Sequence, residues 1–73
     1  MPNQITLHAS AQESLDAVIQ NAIDTLYAQR VQISAAGLIR DSGAALVGRI
    51  ILRSATDKPR AIEILVAHHI DAT

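Results

Sequence analysis

The stretch from Ser10 to Arg30 constrains this chain most, because it is the one segment whose local structure the residue pattern dictates. Ser10-Ala-Gln-Glu13 has the Ser-x-x-Glu spacing of a capping box, in which two side chains satisfy free N–H groups of a helix's first turn. Leu15, Val18, Ile19, Ala22, Ile23, Leu26 and Tyr27 then share one helical face, with Asp16, Gln20 and Asp24 turned away. The pattern predicts one amphipathic helix over 10–30, and such a helix needs an apolar surface to lie on. Just before it, Gln4-Ile-Thr-Leu-His8 alternates with Ile5, Leu7 and Ala9 on one side, the signature of a short strand. The chain therefore opens β-α.

At 73 residues there is room for one small domain, whose core buries a modest share of the surface. No cysteine is present, which removes disulfides and thiolate metal sites, and Tyr27 is the sole aromatic residue. Yet 49% of the residues are hydrophobic and only 18% charged, a large apolar load for a lone small monomer. A homo-oligomer is the expectation. The N-terminal residues show neither the basic nor the apolar region of a signal peptide, and no apolar run reaches spanning length. A cytoplasmic protein with no membrane partner is expected.

Beyond Arg30 two readings stand side by side. In the first, 31–40 folds back on 44–54 about Asp41-Ser42-Gly43, a good three-residue hairpin turn. Ile33, Ala35, Gly37 and Ile39 then share a face with Ala45, Val47 and Ile51, and this face receives the helix. Gly37, nearly opposite Val47, allows close approach. Arg49 falls on the same face and has to reach a rim or a partner. In the second reading, helices over 34–41 and 44–54 flank a turn at Ser42-Gly43, as in a helix-turn-helix DNA-binding unit. Arg49 and Arg53 then share a face that meets phosphates or guanine edges. The Val and Ile content and the internal Gly37 and Gly48 favour strands. The last segment is also two-faced. Ile62, Ile64, Val66, His68 and Ile70 alternate as a strand, while Ile62, Leu65, Val66, His69 and Ile70 fit a helix capped at Thr56 or Asp57 with Pro59 in its first turn.

Read as β-α-β-β, residues 4–54 resemble the dodecin family, small flavin-binding proteins that assemble into hollow dodecamers. The likeness rests on Ser10-x-x-x-Ser14-Leu-Asp-x-x-Ile-x-Asn21-Ala-Ile23 at the helix entry, Gly37-x-Ile39-x-Asp41 with Gly43 in the hairpin, and Arg49-Ile-Ile-Leu-Arg53 in the last strand. It implies the subunit fold and self-association. It does not bring flavin, because the stacking tryptophan is missing and Arg49 stands at the family's glutamine position. The helix-to-strand connection is also shorter, and 57–73 is an added element.

Charge is segregated along the chain. Residues 1–29 hold Glu13, Asp16 and Asp24 without a cation, whereas Arg30, Arg40, Arg49, Arg53, Lys58 and Arg60 all lie between 30 and 60, against Asp41 and Asp57. A basic segment of this kind suits an anionic ligand or an acidic partner. Arg40, Arg49, Arg53 and Arg60 are the candidate binding residues. His68 and His69 are adjacent and point apart, and His8 is the only other histidine, so metal ligands are too few. Pro2 resembles the catalytic N-terminal proline of tautomerases, but Met1 precedes it here. No phosphate loop, nucleophile elbow or paired-carboxylate motif is present.

These readings converge on an α+β domain, one amphipathic helix packed on a small antiparallel sheet, β-α-β-β with an extra C-terminal strand or helix. The expected function is non-catalytic: a self-associating binding module, without metal or cofactor, that takes a protein partner or small anionic ligand at an Arg-bearing surface. An all-α DNA-binding regulator using Arg49 and Arg53 is the alternative.

Overall fold

The computed structural model describes residues 3–9, 14–40, 43 and 45–73. Strand β1 (Gln4–His8) leads to helix α1 (Leu15–Ala28), then to strands β2 (Ile33–Arg40) and β3 (Leu46–Leu52). A 3-10 turn (Ala55–Asp57) enters helix α2 (Lys58–Ala67), and the short strand β4 (Asp71–Ala72) follows it. The sheet order is β2-β3-β1-β4, and every neighbouring pair is antiparallel. The fold is α+β, as the residue pattern predicts. Its plan is two β-α-β units, β1-α1-β2 and β3-α2-β4, each split by a strand of the other. The C-terminal segment thus completes the second unit, supplying both its helix and its last strand.

Within the 31–54 segment Ile33–Arg40 and Leu46–Leu52 form strands, and no helix-turn-helix arrangement is present among the described residues. Asp41 and Ser42 of the expected turn lie outside the described residues, as does the Ser10–Glu13 capping box. The described helix starts later than position 10, at Leu15, with Ser14 as N-cap and no side-chain cap bond.

The core lies between the sheet and the two helices. Ile5 and Leu7 of β1, Ile50 and Leu52 of β3, Val18, Ile19, Ala22 and Leu26 of α1, and Ala61 and Leu65 of α2 form one buried cluster. Leu15 and Ile23 pack against it, as expected, but Tyr27 is 59% exposed. Tyr27 sits at the margin of the apolar stripe, about 100° around the helix from Leu26, which stays fully buried.

The helix-bearing face is the one the hairpin pattern assigns to solvent. Ile5 pairs with Ile50 and Leu7 with Gly48, so Gly48, Ile50 and Leu52 face the helices. Gly37 pairs with Arg49 and Ile39 with Val47, which puts Ala35, Gly37, Ile39, Val47, Arg49 and Ile51 together on the open face. Arg49 explains the inversion, since a guanidinium beneath a helix would be buried without a partner. Ile33 escapes to the core side because a register shift between Ile33 and Ala35 reverses the alternation there. The glycine that admits the helix is consequently Gly48, not Gly37. A Cβ on Gly48 would stand 2.8 Å from Ile19 Cγ1 and 3.1 Å from Leu7 Cβ, whereas one on Gly37 would meet nothing within 4 Å.

Both helices end in the same way. Val31 N–H donates to Leu26 O and Arg30 N–H to Tyr27 O, while Ile70 N–H donates to Leu65 O and His69 N–H to Val66 O. These are paired Schellman motifs, with the apolar residue after the turn docked near the one that opens it. The left-handed position is Arg30 in one and His69 in the other, both at φ 61°. Non-glycine residues there cost about 1–2 kcal/mol.

Two stability predictions follow from this geometry. Gly48→Ala should lower unfolding free energy by about 1–3 kcal/mol through overpacking, whereas Gly37→Ala should be neutral or stabilising by up to about 1 kcal/mol. Arg30→Gly and His69→Gly should each raise stability by roughly 1 kcal/mol by relieving the left-handed backbone. Urea titrations of the variants check both.

Candidate functional site at the end of the first helix

The four candidate arginines do not converge. Arg40 ends β2 opposite Leu46, at the hairpin end of the sheet. Arg49 stands mid-sheet on the open face, between Thr6 of β1 and Gly37 of β2, and is half-buried. Arg53 and Arg60 lie at the opposite end from Arg40, where α1 finishes, β2 begins and β3 hands over to α2. Arg30 and Lys58 join them there, and Asp57 is the acid within the same connections. The folded chain therefore keeps four of its six cations at one end.

The C-terminal turn of α1 separates two clefts, one at this end and one that starts here and runs along α2. One, of about 350 Å³, is lined by Tyr27, Gln32, Ile33, Ser34 and Arg53. The other, of about 360 Å³, is lined by Gln29, Arg60, Glu63, Ile64, Ala67 and His68. Their arginines have different work. Arg60 Nη2 donates to the carbonyl of Gln29 at 2.9 Å, a cation placed on the final carbonyls of α1, where the helix dipole favours positive charge. His68 is likewise engaged, its Nδ1 2.9 Å from Ile64 O. Arg60 thus ties α2 to α1.

Arg53 is different. Its backbone N–H closes the sheet by donating to Gln32 O at 3.2 Å. Its exposed side chain has no hydrogen bond or ion pair among the described residues. Around it the cleft offers the Ser34 hydroxyl, the Gln32 amide and the Tyr27 phenol, three neutral groups that can donate to an anion. Ser34 occupies the register shift of β2, which brings this residue to the cleft in place of a regular strand position.

Charge segregation points to Arg53 and Arg60 from sequence, but not to Tyr27, Gln32 and Ser34. Tyr27 reads as core on the helical stripe, and the bulge at Ser34 carries no sequence signal. Among the described residues, no three His, Asp or Glu side chains converge as a metal site. Nor, among the described residues, is any helix long and apolar enough to cross a membrane. No family model, curated protein or solved structure matches the chain.

The two arginines should separate in a thermal or urea melt. Arg60→Ala should cost about 0.5–1 kcal/mol through the lost tie to Gln29. Arg53→Ala should stay within about 0.5 kcal/mol of the parent, as ordinary surface substitutions do.

Proposed function

We propose that the chain is a non-catalytic, self-associating binding module that takes a small anionic ligand in the Arg53 cleft. The observation that carries this reading is the Arg53 guanidinium, left without a side-chain partner on the rim of a 350 Å³ cleft with Tyr27, Gln32 and Ser34. A charge left unpaired beside neutral donors suits an incoming phosphate or carboxylate, because charge-assisted hydrogen bonds are the stronger ones. Arg30, Lys58 and Arg60 raise the local positive potential against Asp57 and Glu63, which concentrates anions at this end. Arg49 and Arg40 stand elsewhere and are not part of this site.

Self-association belongs to the same reading and is supported by the apolar load of the sequence. The likeness to dodecins enters only through the β-α-β-β order of residues 4–54 and through self-association, and it brings no flavin. A DNA-reading role has no recognition helix to rest on, since Arg49 lies within β3 and Arg53 directly follows it.

Titration with inorganic phosphate and pyrophosphate, followed by amide chemical shifts, tests the ligand site. Saturable shifts are expected at Gln32, Ser34 and Arg53, weakening as salt rises. Arg53→Ala should reduce affinity about tenfold or more, given roughly 1.5–3 kcal/mol for a hydrogen bond to a charged group. Arg49→Ala should leave it unchanged. Equal losses in both variants, or shifts spread over every cation, would defeat the proposal.

A further inference from the structure

The two edges of the sheet are built differently. At one, β4 is only two residues long and offers little to a passing strand. At the other, β2 runs for eight residues, Ile-Ser-Ala-Ala-Gly-Leu-Ile-Arg, with no strand on its outer side among the described residues. Long open edges invite pairing, and proteins that stay single blunt them with lysines, prolines or inward charges. From Ala35 to Ile39 this strand carries none of these. The register shift lies at its start, between Ile33 and Ala35, and leaves the stretch beyond it regular.

The outward-facing backbone groups can be assigned. Leu52 N–H donates to Asn3 O, so in β3 the groups of Leu52, Ile50 and Gly48 point toward β1. Those of Ile51, Arg49 and Val47 then point toward β2, by the alternation of an antiparallel ladder. Their partners Ala35, Gly37 and Ile39 spend their N–H and C=O groups on β3. Ala36 and Leu38 direct theirs away from the sheet.

We infer that the β2 edge pairs antiparallel with β2 of a second copy, about a two-fold axis at Gly37, to make a continuous eight-stranded sheet. This identifies the surface behind the self-association proposed above and rests on that reading. The register is chosen by the residues. With Gly37 facing Gly37 of the partner subunit, Ala36 and Leu38 of the partner subunit exchange both backbone bonds, and so does the reciprocal pair. Ala35 comes opposite Ile39 of the partner subunit, and the regular stretch overlaps end to end. Each large side chain meets a small one, and no two arginines face each other. Shifting by two residues either opposes Leu38 to itself over a shorter ladder or runs the pairing into the register shift at Ser34. The 46% exposure of Leu38 fits this arrangement, because its side chain gains a neighbour on the helix-bearing side. Both copies then carry their helices on one face, and the contact is isologous.

Sedimentation over a range of concentrations, with amide hydrogen exchange on the same 73-residue chain, tests the inference. The expected mass is twice 7.8 kDa. The Ala36 and Leu38 amides should exchange slowly in the dimer and speed up on dilution, while those of Gly37 and Ile39 stay protected throughout by β3. Ala36→Pro removes a donor that β3 does not use, and should yield a monomer with unchanged circular dichroism. Should that variant fail to fold, the exchange pattern of the parent decides alone. A single-chain mass at every concentration would overturn the inference together with self-association. A dimer whose Ala36 and Leu38 amides exchange freely, or a folded Ala36→Pro dimer, would overturn the edge alone.

Discussion

Ile19 rests on the backbone of Gly48, and the layering of the molecule depends on that contact. The core has no phenylalanine or tryptophan to span a wide gap between helix and sheet. It has to be thin, filled by Ile, Leu, Val and Ala, and thin cores need a place where the helix can approach the strand closely. Gly48 supplies it at the middle of β3, opposite Leu7 of β1. With α1 seated there, Ile50 and Leu52 fall under its later turns, and the remaining apolar surface of the sheet is left for α2, whose Ala61 and Leu65 complete the cluster.

The seat on Gly48 also settles the fate of the other sheet face. Because side chains alternate along a strand, placing Gly48, Ile50 and Leu52 under the helices turns Val47, Arg49 and Ile51 outward. A single guanidinium in the wrong register would be stranded in a dry layer, so Arg49 and Gly48 are two expressions of one constraint. The repeated Schellman ends follow from the same economy of space. Each helix has to hand its chain back to the sheet at once, and an apolar residue after the turn, Val31 or Ile70, anchors the return. Arg30 and His69 tolerate the left-handed backbone so that this anchor can dock.

Function at the α1 end grows out of those returns. The first turn places Tyr27 on one side and Gln29 on the other, which separates the two clefts. On one side Arg60 is absorbed by the carbonyl of Gln29. On the other Arg53 remains without a side-chain partner among the described residues. Counting cations cannot distinguish the two, although they have opposite roles. One closes the structure, and the other is the group on which ligand recognition is proposed to rest.

Local pattern was enough for α1, for β1, and for the choice of strands over helices between 31 and 54, where Val, Ile and internal glycines outweigh abundant alanine. It was enough, too, for the crowding of cations between 30 and 60. Three features needed the folded chain. Which hairpin face carries the helix depends on a glycine and an arginine adjacent in sequence, and alternation alone treats the two faces alike. Whether 57–70 is helix or strand depends on whether α1 leaves room for a second helix beside it, a question of tertiary packing. The cleft depends on a one-residue register shift at Ser34 and on Tyr27 staying exposed at the margin of the apolar stripe. The shift leaves no periodic trace, because it is a response of the backbone to neighbours far away in sequence.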